Sequence, residues 1–474
     1  MQRLAVTFCL NFWLLCQILY GQTAEEPLKI NSGEVSYDGQ SMTLMGQVAI
    51  EHRLGQITAH HLTIQPTKDK KLKFGLLEMY EDVQLQLSGG GELNCQKAVL
   101  DCVSLQGRCW GNNEQGQVIY RLPSVLVMTS DQMQINWLRE AENGSKLKVQ
   151  SIEASDHVHV DYQNDYQLSA QRVLYKHIPQ TWLTLFAGSN FPCELLYKND
   201  SVQAQQVEVD VKKEQLSLTE PTGQLKHADA HTLSFAAREM TWDGLQQFLH
   251  LKGEVAIKQN EEVHLFTKHE VLLKQTLSEG KKTLASIYSP KDTTFTYVKS
   301  GQTCELSCQG PLTLDHEHSR LTMQMDAYST QQVYLKDALG EIYANQIVID
   351  YQWQKQQMIP QKIILEGEVK LLNRFDGHIQ ESGGSILHYA LADYIEYQPE
   401  KQELVLSSPT GNRVLFYDKI NNVQMSAPSL KITRESATQK QIIQGVGDVR
   451  FTFIEKEMEQ LKKYFEMDQE AKKD

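Results

Sequence analysis

A short segment recurs along this chain, and its recurrence limits the folds that the chain can adopt. Residues 44–50 read Leu-Met-Gly-Gln-Val-Ala-Ile, residues 251–257 read Leu-Lys-Gly-Glu-Val-Ala-Ile, and residues 365–371 read Leu-Glu-Gly-Glu-Val-Lys-Leu. Weaker copies occupy residues 411–416 and 447–451. In each copy a glycine between two extended segments permits a bend or a β-bulge, and the apolar residues after it face one side. The recurrence therefore predicts repeated strands with one apolar face.

A second recurring segment begins with alanine and continues as an alternating strand. Its copies start at Ala59, Ala170, Ala204, Ala344 and Ala392. Together the two segments form strand pairs of constant length, which predicts stacked strands around an apolar interior, closer to a solenoid than to a globule. Stacked conventional sandwiches are the alternative. Other short alternating runs are separated by Gly, Asn, Asp and Pro, and helical periodicity is absent until the end of the chain.

The N-terminus predicts export. An apolar run from Leu4 to Tyr20 follows Arg3 and gives way to a polar stretch, so residues 1–24 are predicted to be a cleaved signal peptide. An uncleaved anchor is the alternative. In an oxidising compartment the remaining cysteines, which are even in number, make disulfides plausible, and a mixture of bonded and free buried thiols is the alternative. These cysteines are Cys95, Cys102, Cys109, Cys193, Cys304 and Cys308.

The C-terminal segment changes period. Residues 454–474 carry apolar residues at helical spacing among Glu and Lys, which predicts a short amphipathic helix. The helix either caps the last strands or docks on a partner. Its apolar stripe consists of Ile454, Met458, Leu461 and Phe465.

Composition and motifs exclude several classes of function. The formal net charge of -13 argues against a nucleic-acid partner, because binding phosphates requires a basic excess. The segments Asp315-His316-Glu317-His318 and His157-Val158-His159 each place two histidines together, but no third metal ligand is identifiable by spacing. No hydrolase, phosphate-loop or redox motif is present. We therefore predict neither an enzyme nor a bound metal or cofactor.

The half-units Gly-x-Val-x-Ile and Ala-Asp-x-Ile-x-Tyr, the second at residues 392–397, resemble the repeat of the OstA-like, or LptA-like, family of periplasmic lipopolysaccharide-transport proteins. The resemblance covers most of residues 35–453. It implies an all-β fold, an elongated V-shaped open β-jellyroll or β-taco of stacked strand repeats. A first OstA-like region would span residues 25–230 and a second residues 231–453, followed by the C-terminal helix.

The resemblance also implies that this chain has an interior groove that carries the acyl chains of lipopolysaccharide. Each exposed methylene costs about 0.8 kcal/mol, so a chain of about a dozen carbons costs roughly 10 kcal/mol to carry through water. An ordinary closed core is the alternative, because alternation fixes the face of a strand and not what occupies it. The candidate lining residues are Val48, Ile50, Val255, Ile257, Val369, Leu371, Val449 and Phe451.

The resemblance thus implies a lipid-binding protein that takes part in lipopolysaccharide transport to, and assembly at, the outer membrane. It would act in the periplasm, either free or associated with the inner face of the outer membrane. Its implied partners are lipopolysaccharide, through the acyl chains, and other OstA-like proteins joined end to end by β-augmentation. The alternative is a non-lipid structural or interaction scaffold of the cell envelope.

Overall fold

A computed structural model describes residues 29–450 with internal gaps, and every regular element in these residues is a β-strand in antiparallel pairing. The all-β prediction is thereby confirmed. Within the described residues, no helix has the length and apolar character needed to cross a membrane. The predicted signal peptide at residues 1–24 and the predicted helix at residues 454–474 lie outside the described residues. The internal gaps are residues 53, 68–74, 89–90, 112–115, 140–146, 164, 179, 227–231, 260–261, 279–280, 300–301, 338–339, 355–356, 374–387, 409–410, 419–422 and 435–440.

The chain forms two compact units, one that extends to Trp182 and one that begins at Leu183. The predicted boundary after residue 230 separates two regions of sequence repeats, whereas the boundary at residue 182 separates two compact units. The boundary between the repeat regions stays a prediction. The strands of the first unit are β1 (Lys29–Asn31), β2 (Glu34–Tyr37), β3 (Met42–His52), β4 (Gly55–Gln65), β5 (Leu76–Leu87), β6 (Gly91–Asp101), β7 (Gln106–Trp110), β8 (Val118–Leu122), β9 (Leu126–Ser130), β10 (Gln132–Arg139), β11 (Leu147–Tyr162) and β12 (Tyr166–Lys176).

The second unit contains the remaining strands, the first of which begins at the last residue of the first unit. They are β13 (Trp182–Phe186), β14 (Cys193–Tyr197), β15 (Asp200–Ala204), β16 (Gln206–Asp210), β17 (Gln215–Thr219), β18 (Thr222–Lys226), β19 (Thr232–Ala236), β20 (Glu239–Asp243), β21 (Phe248–Lys252), β22 (Val255–Gln259), β23 (Val263–Thr267), β24 (Glu270–Ser278), β25 (Lys281–Ser289), β26 (Thr293–Lys299), β27 (Gln302–Cys308), β28 (Leu312–Asp315), β29 (Arg320–Gln324), β30 (Val333–Lys336), β31 (Gly340–Ala344), β32 (Gln346–Gln354), β33 (Gln357–Asn373), β34 (His388–Gln398), β35 (Glu403–Ser407), β36 (Val414–Asp418), β37 (Val423–Ala427), β38 (Ser429–Arg434) and β39 (Gln441–Val446).

Long strands with a central corner organise the first unit. The corner of β3 lies at residues 46–47, so that residues 42–45 pair with β2 and residues 49–51 pair with β1. In the same way, residues 97–101 of β6 pair with β7, and residues 92–94 pair with β8. Strand β11 pairs with β10 on one side of its corner and with β9 on the other. Each of these strands therefore belongs to two ladders of hydrogen bonds.

Two ladders also run through the second unit. Ladder A consists of β13, β16, β17, β20, β21, β24, β25, β28, β29, β32, β33, β34, β35, β38 and β39 in order of pairing. Ladder B consists of β14, β15, β18, β19, β22, β23, β26, β27, β30, β31, β33, β34, β36 and β37. The chain adds two strands to one ladder and then two to the other, until β33 and β34 bend and join both ladders.

The repeated glycine segments lie at corners where the chain passes between ladders. Gly253 and Glu254, with φ angles of 72° and 52°, separate β21 of ladder A from β22 of ladder B. Gly367 and Glu368, with φ angles of 78° and 46°, form the corresponding corner inside β33, where the pairing register shifts. Glycine suits the first position because it adopts a positive φ without steric cost. The predicted bend or bulge at the repeated glycine is confirmed.

At each of these corners, a residue that follows an alanine donates backbone hydrogen bonds to the segment of chain that bends. The backbone N–H of Asn345 donates to the carbonyl oxygens of Glu366 and Gly367 at 2.9 and 3.0 Å. Arg238 makes the equivalent pair of hydrogen bonds at the Gly253 corner. One N–H thus satisfies two carbonyl groups where the regular ladder is interrupted, so the bend leaves these backbone groups paired.

The apolar interior of the second unit lies between its ladders. In β22 the side chains of Val255 and Ile257 are buried, whereas Lys258 faces solvent. The rings of Tyr197 in ladder B and Trp242 in ladder A have centroids 5.6 Å apart, which brings the two ladders into contact. Because each ladder has one buried apolar side, the two sides cover one another as the layers of a β-sandwich do.

Candidate functional site

The candidate lining residues of the first unit lie in its apolar interior. Val48 and Ile50 follow the corner of β3, and each is only 2% exposed. Val48 lies opposite Ala59 in β4, and Ile50 lies opposite Ile57. The alternation seen in the sequence therefore places both side chains on the buried side of the strand.

The second copy of the repeat has the same arrangement in the second unit. Val255 and Ile257 are at most 2% exposed. Ile257 lies between Phe235 of β19 and Leu265 of β23. Burying one aliphatic side chain of this size contributes about 1.5 to 3 kcal/mol. Such residues therefore stabilise the unit whether or not a ligand enters the interior.

The third copy departs from the pattern at its end. Val369 is fully buried, but Leu371, opposite Ala390 of β34, is only half-buried. The next residue, Leu372, is buried on the other side of β33. Both sides of β33 are therefore apolar here, so strict alternation does not describe this segment. Four partly buried residues pack against Leu372: Tyr343, Tyr389, Leu391 and Leu415.

The last two candidates lie beyond the named strands. Val449 is half-buried and lies just after a bend at residues 447–448, next to Arg450, which forms an isolated bridge with Ser426. Phe451 lies outside the described residues. Val48 and Ile50 belong to the first unit, and in ladder B five strands separate β22 from β33. The candidates of β22 and β33 therefore do not meet at a single point.

Several central interior residues were not nominated from the sequence. Phe295 of β26 and Leu306 of β27 are almost fully buried and lie opposite one another in ladder B. Leu273 of β24 is fully buried in ladder A. The run Thr-Thr-Phe-Thr-Tyr at residues 293–297 alternates strictly, and this period-2 signal could have identified Phe295.

Hydroxyl groups near the crossing from β25 to β26 are buried and satisfied within the protein. Thr293 Oγ1 donates to Ser289 Oγ at 2.6 Å, and Ser289 Oγ donates to the carbonyl oxygen of Glu270 at 3.4 Å. Thr267 Oγ1 donates to the carbonyl oxygen of Lys291 at 3.2 Å. Because these polar groups have partners, they can lie beside the apolar interior at little cost.

Three of the histidines noted in the sequence contact carboxylates or rings. His318 Nδ1 lies 2.8 Å from Asp315 Oδ2, while His316 Nδ1 lies 3.2 Å from the Tyr351 hydroxyl. His157 Nδ1, at the corner of β11, lies 2.8 Å from Asp131 Oδ2. In the described part of the chain, no group of three or more His, Cys, Asp or Glu side chains is arranged to hold a metal ion.

We expect Asp131→Asn to lower the pKa of His157. The hydrogen bond and charge of Asp131 raise this pKa above its ordinary value of 6.5, because they favour the imidazolium form. The raised pKa stabilises the folded protein below pH 6.5, and this stabilisation is lost as the pH rises through the raised pKa. NMR titration of the His157 ring measures the change. Asp156→Asn is the control and should lower the pKa less, since Asp156 acts only through charge; equal changes would contradict the assignment.

No protein-family model matches this chain, and no curated protein matches it.

Proposed function

We propose that the chain is a periplasmic lipid-binding transport protein that shields the acyl chains of lipopolysaccharide during their passage to, and assembly at, the outer membrane. The observation that carries this proposal is the apolar interior that runs between the two ladders of the second unit. An interior extended along stacked strands suits a long acyl chain, because each buried methylene contributes about 0.8 kcal/mol. The chain binds its lipid without catalysing a reaction and without a cofactor.

The proposed fold is an elongated, V-shaped open β-jellyroll with an OstA-like repeat. The long corner strands β3, β33 and β34 support it, because each contributes to two ladders and thereby joins them at a bend. Backbone hydrogen bonds run within a ladder, so the ladders can separate at an open edge while those bonds persist. The lipid would enter between them and replace the contacts that side chains make with one another.

A structural or interaction scaffold of the envelope is the second candidate function. It is favoured by the tight burial of the candidate lining, since Val48, Ile50, Val255, Ile257 and Val369 are all at most 2% exposed. Interiors packed in this way resemble ordinary cores, in which side chains fill the available space. A scaffold of stacked strands needs no entry route for a ligand.

The proposed protein partners are other OstA-like domains joined end to end. Strand β2, which pairs with β3, carries Val35 and Tyr37 with 62% and 65% of their surface exposed. Strand β39, which pairs with β38, carries Val446 with 57% exposed. Edge strands with exposed apolar side chains suit the addition of a further strand.

Photo-crosslinking to lipopolysaccharide tests the lipid role. A small diazirine amino acid replaces Ile257 in the interior or, as the matched control, Lys258 on the solvent side of the same strand. We expect labelling from position 257 to exceed labelling from position 258 at least about tenfold, because a lipid in the interior contacts only the first. The readout is a lipid adduct of the chain from Gln22 onward, seen as a mass increase.

Equal labelling, or none, at the two positions would contradict the lipid role and favour the scaffold. Circular dichroism of both proteins establishes beforehand that the reporter has not unfolded the strand. Competition by an excess of unlabelled lipopolysaccharide should remove the signal at position 257.

A further inference from the structure

Two cysteines of the first unit lie against one another. Both Cys95 and Cys109 are free thiols, and both are buried. Cys95 of β6 and Cys109 of β7 are in side-chain hydrogen-bonding contact. The two thiols are therefore direct neighbours in the interior of the first unit.

The pairing of the strands explains this contact. Cys109 lies opposite Ala98 of β6, and residues 95 and 98 both face the interior on either side of the β6 corner. Since a corner bends the strand, the two interior-facing positions of β6 converge on the same neighbour. Cys109 is that neighbour, and it is fully buried.

Two other pairings are disfavoured by their separation along the strands. Cys304 and Cys308 lie four residues apart on β27, which separates their Cα atoms by about 13 Å, well beyond the roughly 7 Å that a disulfide tolerates. Cys102 follows the end of β6, and Cys109 pairs with a residue four positions before it, so a similar separation applies.

A surface pocket of the first unit includes Cys95 in its lining. The pocket has a volume of about 140 Å³ and is lined by Cys95 together with Asp82, Gln84, Asn94 and Gln117. Cys95 retains slight exposure, whereas Cys109 has none. Of the two thiols, Cys95 is therefore the one nearer to solvent.

We propose that Cys95 and Cys109 form an intramolecular disulfide when the chain meets a disulfide oxidant such as glutathione disulfide. The Cys95 thiolate attacks one sulfur of the oxidant and releases one glutathione, which leaves a mixed disulfide on Cys95. The Cys109 sulfur then attacks the Cys95 sulfur and releases the second glutathione. The protein loses two protons and two electrons, and the glutathione disulfide takes them up as it becomes two molecules of glutathione.

Burial supports this order of events. The contact with Cys95 and burial in the interior raise the pKa of Cys109 well above its usual range, so Cys109 stays protonated and unreactive toward a dissolved reagent. It reacts only when the activated sulfur of Cys95 lies beside it. The resulting bond ties β7 to β6 at the corner where β6 passes from β7 to β8.

Peptide mapping tests the proposal on the full chain. The reduced protein is treated with glutathione disulfide, its remaining thiols are alkylated, and it is digested with trypsin without reduction. Cleavage after Lys97 and Arg108 puts Cys95, Cys102 and Cys109 on three different peptides. We expect the peptide of residues 74–97 to be linked to that of residues 109–121 as the main product.

Two variants serve as controls for the peptide mapping. Cys102→Ser should leave the link intact, and Cys109→Ser should abolish it while leaving glutathione attached at Cys95. Linkage to the Cys102 peptide, or free thiols on both peptides after oxidation, would overturn the proposal. The mapping requires no lipid, so its failure is independent of the outcome at Ile257 in the crosslinking experiment.

Discussion

Val255→Asp is expected to reduce the free energy of unfolding of the second unit by about 3 to 5 kcal/mol, because it places a carboxylate in an apolar interior without a partner. Val255 is fully buried and lies opposite the buried Thr267 of β23, whose hydroxyl is already engaged with a backbone carbonyl. Urea unfolding monitored by circular dichroism measures the effect as a lower midpoint for one of the transitions.

Lys258→Asp is the matched control for this change. It introduces the same side chain on the solvent side of the same strand, so we expect an effect within about 0.5 kcal/mol. If the two variants unfolded at the same midpoint, the interior around β22 would be wet or open, and the alternation along this strand would not separate a core from a surface.

Gly367→Val is expected to cost about 3 kcal/mol or more, and its cost has two physical parts. The backbone φ of 78° is unfavourable for any residue with a Cβ atom, and the new Cβ would lie 2.8 Å from Cβ of Asn345, whose position the backbone fixes. The corner of β33 would then move, and the pair of hydrogen bonds from the Asn345 N–H would weaken. The urea midpoint of the second unit reports this loss.

Gly411→Val distinguishes the backbone part of this cost from the part due to the steric clash. Gly411 has a similar φ of 88°, but no heavy atom lies within 4 Å of an added Cβ. This variant should therefore show only the conformational cost of about 1 to 2 kcal/mol. A result as large as that of Gly367→Val would mean that close packing against Asn345 is not what selects glycine at the β33 corner.

The alternation of the sequence was sufficient to predict the buried side of β3 and β22. Each has a large apolar residue at every second position after its glycine, and the structure buries Val48, Ile50, Val255 and Ile257. The glycine itself predicted the bend, because it adopts a positive φ without steric cost. These features are local, so they are visible without knowing which strands pair.

Features that depend on distant pairing were not predictable in the same way. Leu371 and Leu372 are adjacent apolar residues, and only the packing of Tyr343 and Tyr389 on the other side of β33 decides that Leu372 is the more buried. Val449 follows a glycine, as in the repeat, but it precedes a single bridge at Arg450 and lies in no named strand. The contact of Cys95 with Cys109 likewise depends on how a corner bends β6.

The pairing scheme also bears on the order in which the chain can fold. Within a ladder of the second unit, β22 pairs with β19 and β23, and β23 pairs in turn with β26, so each strand meets partners that are near it in sequence. Loops of this size close quickly and at modest entropic cost. As the chain is synthesised from its N-terminus onward, each new pair of strands can add to the preceding pair before more distant residues are available. Assembly of this interior can therefore proceed vectorially, with the most recently added strand serving as the template for the next.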